Sequence, residues 1–146
     1  MRIQTALTRM VGIEHPVVQT GMGWVAGARL VSATANAGGL GILAAATMTI
    51  DELATAIGKV KSATDRPFGV NIRADAADAG DRIDLMIKEG VKVASFALAP
   101  KQELVVRLKE AGAVVIPSVG AAKHARKVAG WDADAVIVQG GEGGGH

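Results

Sequence analysis

The sequence predicts an α/β chain of parallel strands covered by helices, with six strands and five helices. Three observations predict it. Short apolar runs recur at even spacing, beginning at Pro16, Gly41, Pro67, Val91, Ala113 and Ala135. Between them lie stretches of helical periodicity, most of them closed by glycine. Polar side chains are nearly absent from the strand bodies and return where each strand ends, as expected for strands buried on both faces.

Each element has its own signal. Pro16-Val-Val-Gln19 is a short apolar run after a proline and reads as the first strand. Residues Ala28 to Ala37 have helical spacing and stop at Gly38-Gly39. Gly41-Ile-Leu-Ala44 is the second strand. Thr49-Ile-Asp-Glu52 matches a capping box, and Leu53, Ile57 and Val60 form one stripe of the helix behind it. Pro67-Phe-Gly-Val-Asn71 is the third strand. A helix over Asp81 to Glu89 turns Ile83, Met86 and Ile87 inward and stops at Gly90. Val91 to Phe96 is the fourth strand. A helix from Pro100 to Ala111 carries proline in its first turn and ends at Gly112. Ala113 to Ser118 is the fifth strand, Ala121 to Ala129 a helix stopped by Gly130, and Ala135 to Gln139 the sixth strand.

Composition bounds the function. The chain has 146 residues, 49% of them apolar, which suits a single domain with a full core. It has no cysteine, so neither a disulfide framework nor a thiolate metal site is expected, and a cytoplasmic setting fits. The first ten residues include Arg2, Gln4, Thr5, Thr8 and Arg9, which rules out a signal-peptide core there. No apolar run reaches the length of a membrane span. The net charge is only +2, and Trp24, Phe68, Phe96 and Trp131 are the whole aromatic content. Neither nucleic acid nor membrane is therefore an expected partner.

Two architectures fit this alternation: an open doubly wound sheet, or most of a (β/α)8 barrel, which normally takes about 250 residues. The strand ends carry Gln19-Thr-Gly-Met-Gly23, Asn71, Ser95, Ser118 and Gln139-Gly140. Polar groups at every strand end imply one site shared on one face, although any parallel strand leaves the sheet into polar loop chemistry. Gly21-Met-Gly-Trp-Val-Ala-Gly27 is spaced like a dinucleotide loop. The acid expected at the end of the second strand is missing from Gly41 to Thr47, so the glycines are read as admitting a planar ligand to the backbone. The chain closes on Gln139-Gly-Gly-Glu-Gly-Gly-Gly-His146, where a strand opens into glycines before the residue type that titrates near neutral pH.

Several motifs together resemble one family. Gly12-Ile-Glu-His-Pro-Val-Val-Gln19, Gly21-Met22, Asn36-Ala-Gly-Gly-Leu-Gly41, Pro67-Phe-Gly-Val-Asn71 and Gln139 to His146 are similar, in order and spacing, to the nitronate monooxygenase (2-nitropropane dioxygenase) family. The flavin-dependent enoyl-acyl-carrier-protein reductases of bacteria share these motifs. The resemblance implies a TIM barrel that binds FMN. Residues 1–146 would be the N-terminal part of that single domain, without its last strand–helix units and inserted subdomain. It implies that Gly21, Met22 and Gly23 pass along the flavin ring, that Asn71 and Gln139 hydrogen-bond it, and that Gly144 closes backbone on it. His146 takes the place of the family's active-site histidine. No metal is implied. Asn36 to Gly41 would lie at the opposite end of the barrel, as turn and packing residues.

The implied activity is oxidation of alkyl nitronates with O2. The alternative is NAD(P)H-dependent reduction of a conjugated double bond in an acyl thioester. Glycine rather than proline before Met22 is closer to the second pattern. The FMN phosphate site would lie beyond residue 146, so these residues alone are expected to hold flavin weakly and to be inactive. The first and sixth strands would be open edges that favour a homo-oligomer, and a half-barrel that only self-associates is the third reading. Three features get plainer assignments. His15 sits at the amino end of its strand. His124 lies on a solvated basic helix face, and Asp75, Asp78 and Asp81 read as a polar loop or helix cap rather than a metal site. Glu142 bonds within its own loop or orients His146.

Overall fold

A computed structural model describes residues 3–143. Its six strands are β1 (Val18–Gln19), β2 (Leu40–Ala44), β3 (Phe68–Ile72), β4 (Val93–Phe96), β5 (Val114–Val119) and β6 (Ile137–Val138). They form one sheet in strictly sequential order, and every neighbouring pair is parallel. A doubly wound sheet would reverse its order at a switch point. This one winds in a single direction, as the wall of a partial (β/α)8 barrel.

Two separate apolar layers follow from that winding. On the outer face α2 (Ala28–Asn36), α3 (Ile50–Ala63), α4 (Ala79–Glu89) and α5 (Gln102–Glu110) cover the sheet. Their Val31, Leu53, Ile57, Ile83 and Leu108 pack with the outward strand residues Leu43, Val70, Phe96 and Val115. On the concave face Leu40, Ile42, Val93, Val114 and Ile116 form a second cluster with Val11 and Ile13. Helix α6 (Ala122–Ala129) follows β5 and buries only Val128.

The concave cluster depends on an element that the sequence reading lacks, so the helices number six among the described residues rather than five. Helix α1 (Ala6–Val11) opens the chain. Thr5 caps it reciprocally with Thr8, and Gly12 closes it at φ 83°. Leu7, Met10 and Val11 face the concave cluster, so α1 plugs the amino end of the half-barrel. Six residues with threonine at the third helical position carry too little periodicity to be read as a helix.

Other boundaries also moved. β1 has two residues and begins at Val18, because Val17 uses its N–H on the His15 carbonyl in a tight turn, at 2.7 Å. Pro100 precedes the Lys101 cap of α5 instead of lying in its first turn. Ile87 is 36% exposed, and the inward positions of α4 are Ala79, Arg82, Ile83 and Met86. β6 is shorter than expected and is tied to β5 by Asp134. Its carboxylate accepts from the Val115 N–H at 2.8 Å and from Lys109 Nζ at 2.7 Å. The Thr49–Glu52 capping box of α3 is present as read. Gly38, at φ 91°, accepts from the Glu14 and His15 N–H groups, so the Asn36 to Gly41 segment is a turn at the amino end. No described helix is long and apolar enough to cross a membrane.

Gly41 sets how closely α2 approaches β2. A Cβ there would stand 2.5 Å from the Val31 carbonyl oxygen and 2.9 Å from its Cα. Gly58, on the exposed side of α3, meets nothing within 4 Å. Gly41→Ala is therefore expected to destabilise the protein by about 2 kcal/mol or more, since backbone must move. Gly58→Ala is expected to stabilise it by roughly 0.5–1 kcal/mol through helix propensity. Urea unfolding of both variants checks the pair, and equal effects would contradict the packing.

Candidate functional site

The carboxyl ends of the strands supply polar groups in layers. Parallel register places Ala44, Asn71, Ser95 and Ile116 side by side. Asn71 Nδ2 donates to Ser95 Oγ at 2.8 Å, and Ser95 is almost wholly buried. That bond fixes the Asn71 amide. Asn71 remains half-buried, with no other side-chain hydrogen bond among the described residues.

The loop after β1 lies directly over this layer. A Cβ on Gly21 would fall 2.6 Å from Asn71 Cβ and 3.4 Å from the Leu43 carbonyl oxygen. A Cβ on Gly23 would fall 2.9 Å from Thr47 Cγ2. Both glycines are therefore required by close approach rather than by turn geometry. Trp24 N–H donates to Thr47 Oγ1 at 3.3 Å, and the Met22 carbonyl accepts from the Val25 and Ala26 N–H groups. The N–H groups of Gly21, Met22 and Gly23 meet no protein acceptor among the described residues. They leave a row of backbone donors along the rim, suited to a planar ligand with an acceptor edge.

Gln19 was noted as a strand-end amide but not among the site residues. Its Nε2 donates to the Thr20 and Ile42 carbonyls, while Oε1 is buried without a partner among the described residues. A buried acceptor with no donor is costly, about 1–3 kcal/mol, and calls for a water or another group to complete it. The sequence held only the residue type and its place before Gly21; the orphaned oxygen depends on the two carbonyls that claim the amide nitrogen.

The remaining sequence-derived positions are distributed as follows. Met22 is partly exposed at the rim. Gln139 follows β6, and its exposed side chain lies where a Cβ on Gly143 would be, so a larger residue there would displace Gln139. The Gly143 N–H donates to the Gly140 carbonyl, closing a local turn. Gly144 and His146 lie outside the described residues. His15 stands at the opposite end beside Gly38, and His124 is exposed on α6.

Charged groups near the rim pair with one another. Arg73 makes a two-point contact with Asp75, at 3.0 and 2.7 Å, whose hydrogen bonds hold the carboxyl below the usual aspartate range. Arg82 is the buried exception. Its Nη1 and Nη2 donate to the Ala45 and Met48 carbonyls at 2.7 and 2.8 Å, and its Nε donates to Asp78 at 2.9 Å. This guanidinium clamps the short 3-10 turn Ala45–Thr47, which in turn holds Trp24 through Thr47. Asp78 occupies the cap position of α4 but makes no capping bond; its carboxylate serves Arg82. No described cluster of His, Asp and Glu could hold a metal.

Comparison with known proteins gives this geometry a lineage. The family model "Nitronate monooxygenase" matches residues 4–146. The chain belongs to the nitronate monooxygenase family. A Mycobacterium tuberculosis relative, (3aS,4S,5R,7aS)-5-hydroxy-7a-methyl-1-oxo-octahydro-1H-indene-4-carboxyl-CoA dehydrogenase, is 84% identical over all 146 residues, which cover 41% of its length. FabK from Thermotoga maritima superposes with a TM-score of 0.94 at 41% identity, covering 99% of this chain and 46% of that one. Nitroalkane oxidase from Streptomyces ansochromogenes superposes at 0.86 with 31% identity, covering 97% and 50%. The chain thus spans about half, or less, of the length of each. The expected partial barrel is the fold of these family members.

The Arg82 clamp yields a pH-dependent prediction. Arg82 holds the Asp78 carboxyl below its ordinary value, chiefly by hydrogen bonding. The folded state therefore favours the ionised form. That stabilisation is fully present above the unfolded aspartate pKa of about 4 and is lost as pH falls through the lower folded value. Asp78→Asn is expected to lower stability at pH 7, modestly because the carboxylate is partly solvated. The difference from wild type should shrink as pH falls below about 4 and vanish only below the lower folded value. Arg82→Met, which abandons two carbonyls, is expected to cost about 3 kcal/mol at both pH values. Denaturant midpoints at pH 7 and pH 3 test this, and an Asp78→Asn deficit undiminished in acid would refute the pairing.

Proposed function

We propose that the protein carrying this chain is an FMN-dependent oxidoreductase that dehydrogenates a hydroxylated, bicyclic acyl-CoA thioester. The observation that carries this reading is the 84% identity, over every residue of this chain, to the hydroxy-indene-carboxyl-CoA dehydrogenase. It displaces nitronate oxidation as the first choice, because the nitroalkane oxidase shares only 31%. Residues 1–146 would form the first six strands of a single FMN-binding barrel, the remainder of which carries the phosphate site.

The described residues fit such a cofactor. N–H groups at Gly21, Met22 and Gly23 without an acceptor among the described residues, and the half-buried Asn71 amide against which Gly21 packs, offer donors and an acceptor at the rim. FMN would supply a two-electron acceptor when bound. The protein's contribution is to seat the ring edge on neutral amides and backbone, and to keep the glycine loop close to β3. Gln139 and Gly144 would contact the same ligand from β6. His146 would hold or remove the substrate proton, since imidazole titrates near working pH.

A second reading, NAD(P)H-driven reduction of a conjugated double bond in an acyl thioester, draws support from Gly21 before Met22. One anaerobic experiment on the full-length protein separates the readings. The hydroxy-indene acyl-CoA is expected to bleach the oxidised flavin band, while an alkyl nitronate leaves it unchanged. Bleaching by nitronate alone would sink the dehydrogenase reading, and rapid bleaching by NADPH with none by the thioester would favour the reductase. His146→Ala is expected to cut thioester turnover about 100-fold. Gly21→Ala is expected to lower flavin content on purification, because its methyl would strike Asn71.

A further inference from the structure

Outside the barrel wall, the rim continues into a groove between α2 and α3. Two adjoining hollows of about 550 and 590 Å³ share Val25, Gly27, Ala28 and Lys59. Trp24 stands at the rim end with 92% of its surface exposed and its backbone at φ 59°. A left-handed conformation is unfavourable for a bulky residue, and full exposure is unfavourable for an indole. The backbone is nevertheless held there by the Trp24–Thr47 hydrogen bond and the Arg82 clamp beneath it. An outward indole on a backbone held in this way is a stacking surface for a flat heterocycle.

The groove's charges are sorted along its length. Arg29 lines only the hollow away from Trp24, Lys59 lines both hollows, and no acid lines the outer one with them. Neither cation has an ion-pair partner among the described residues. Asp51 and Glu52 lie at the Trp24 end, and the Glu52 carboxylate already accepts from the Thr49 N–H at 2.7 Å. Asp51 is thus an available acceptor beside the plate, suited to an exocyclic amine. An exposed indole and an acceptor at one end, Lys59 between the two hollows and Arg29 beyond it match a purine nucleotide carrying more than one phosphate.

We propose that this groove binds the adenosine 3′,5′-bisphosphate end of a CoA thioester, with adenine on Trp24 and phosphates on Arg29 and Lys59. The inference rests on the reading of the substrate as an acyl-CoA, and it places recognition of the carrier on this chain, apart from the flavin rim. The thioester arm crosses the loop at Gly21 to Gly23, while the nucleotide stays outside the barrel.

Calorimetric titration of the full-length protein with adenosine 3′,5′-bisphosphate tests it without turnover. Trp24→Ala and Lys59→Glu are each expected to raise Kd about tenfold. Both residues are exposed, so folding is preserved, which thermal unfolding checks. In turnover the same variants should raise KM for the acyl-CoA at unchanged kcat and leave KM for the acyl-pantetheine thioester unaltered. Variants that bind the bisphosphate as wild type does would overturn the proposal, as would equal KM effects on both thioesters. If the bisphosphate binds and the variants weaken it, yet the acyl-CoA fails to bleach the flavin, the groove stands and the dehydrogenase reading falls.

Discussion

A parallel sheet must keep both of its faces dry, and nearly everything in this half-barrel follows from that requirement. The outer face is dried by four helices, and α2 meets β2 so closely that only glycine fits at position 41. The concave face is dried by its own side chains and by α1 pressed against the amino end. With both faces closed, strand bodies can hold few polar groups. The main exception, Ser95, is buried only because Asn71 hydrogen-bonds it. Polar chemistry is driven to the carboxyl rim, where strands give way to loops.

The rim is held still by hydrogen bonds rather than by apolar bulk. Arg82 reaches from α4 to carbonyls 34 and 37 residues earlier in the chain, fixing the turn after β2. That turn holds Trp24 through Thr47, and the Gly21 to Gly23 segment is trapped between Thr47 and Asn71. Donors already in place favour the binding of any ligand edge, because each loop ordered on binding subtracts from affinity. The clamp does this ordering during folding. The charge on Arg82 is tolerated because all three contacts are made by groups that would otherwise be left unsatisfied near the surface.

The alternation of strands and helices was legible because its signals are local: apolar runs, capping pairs and glycine stops. The Thr49–Glu52 box, for example, is read from four consecutive residues. The resemblance to a family supplied the barrel, which periodicity alone left open between two architectures. What stayed hidden depends on distant partners. Helix α1 is too short to announce itself and exists by packing against Leu40 and Val114. Ile87 was taken as inward by spacing, yet Arg82 holds that face because its partners lie in the β2–α3 turn. The orphaned oxygen of Gln19 depends on where Ile42 presents its carbonyl. The positions of Asn71, Gly21 and Met22 at one rim were legible, since Asn71 stands near the carboxyl end of its strand and the other two follow theirs.

Substrate choice in such a scaffold has to come from outside the glycine loop and its amides. Backbone donors and neutral amides suit a planar ring edge whatever lies above it, so they leave the reaction open. Binding energy from the non-reacting end of a substrate can hold its reacting end in place. Trp24 is exposed and in a left-handed conformation, and Arg29 and Lys59 nearby have no ion-pair partner among the described residues. Trp24 lies on the same loop as Gly21 to Gly23. A carrier nucleotide seated on Trp24 would therefore anchor the thioester's remote end beside that loop, adding affinity for the carrier and leaving the reacting geometry to the rim itself.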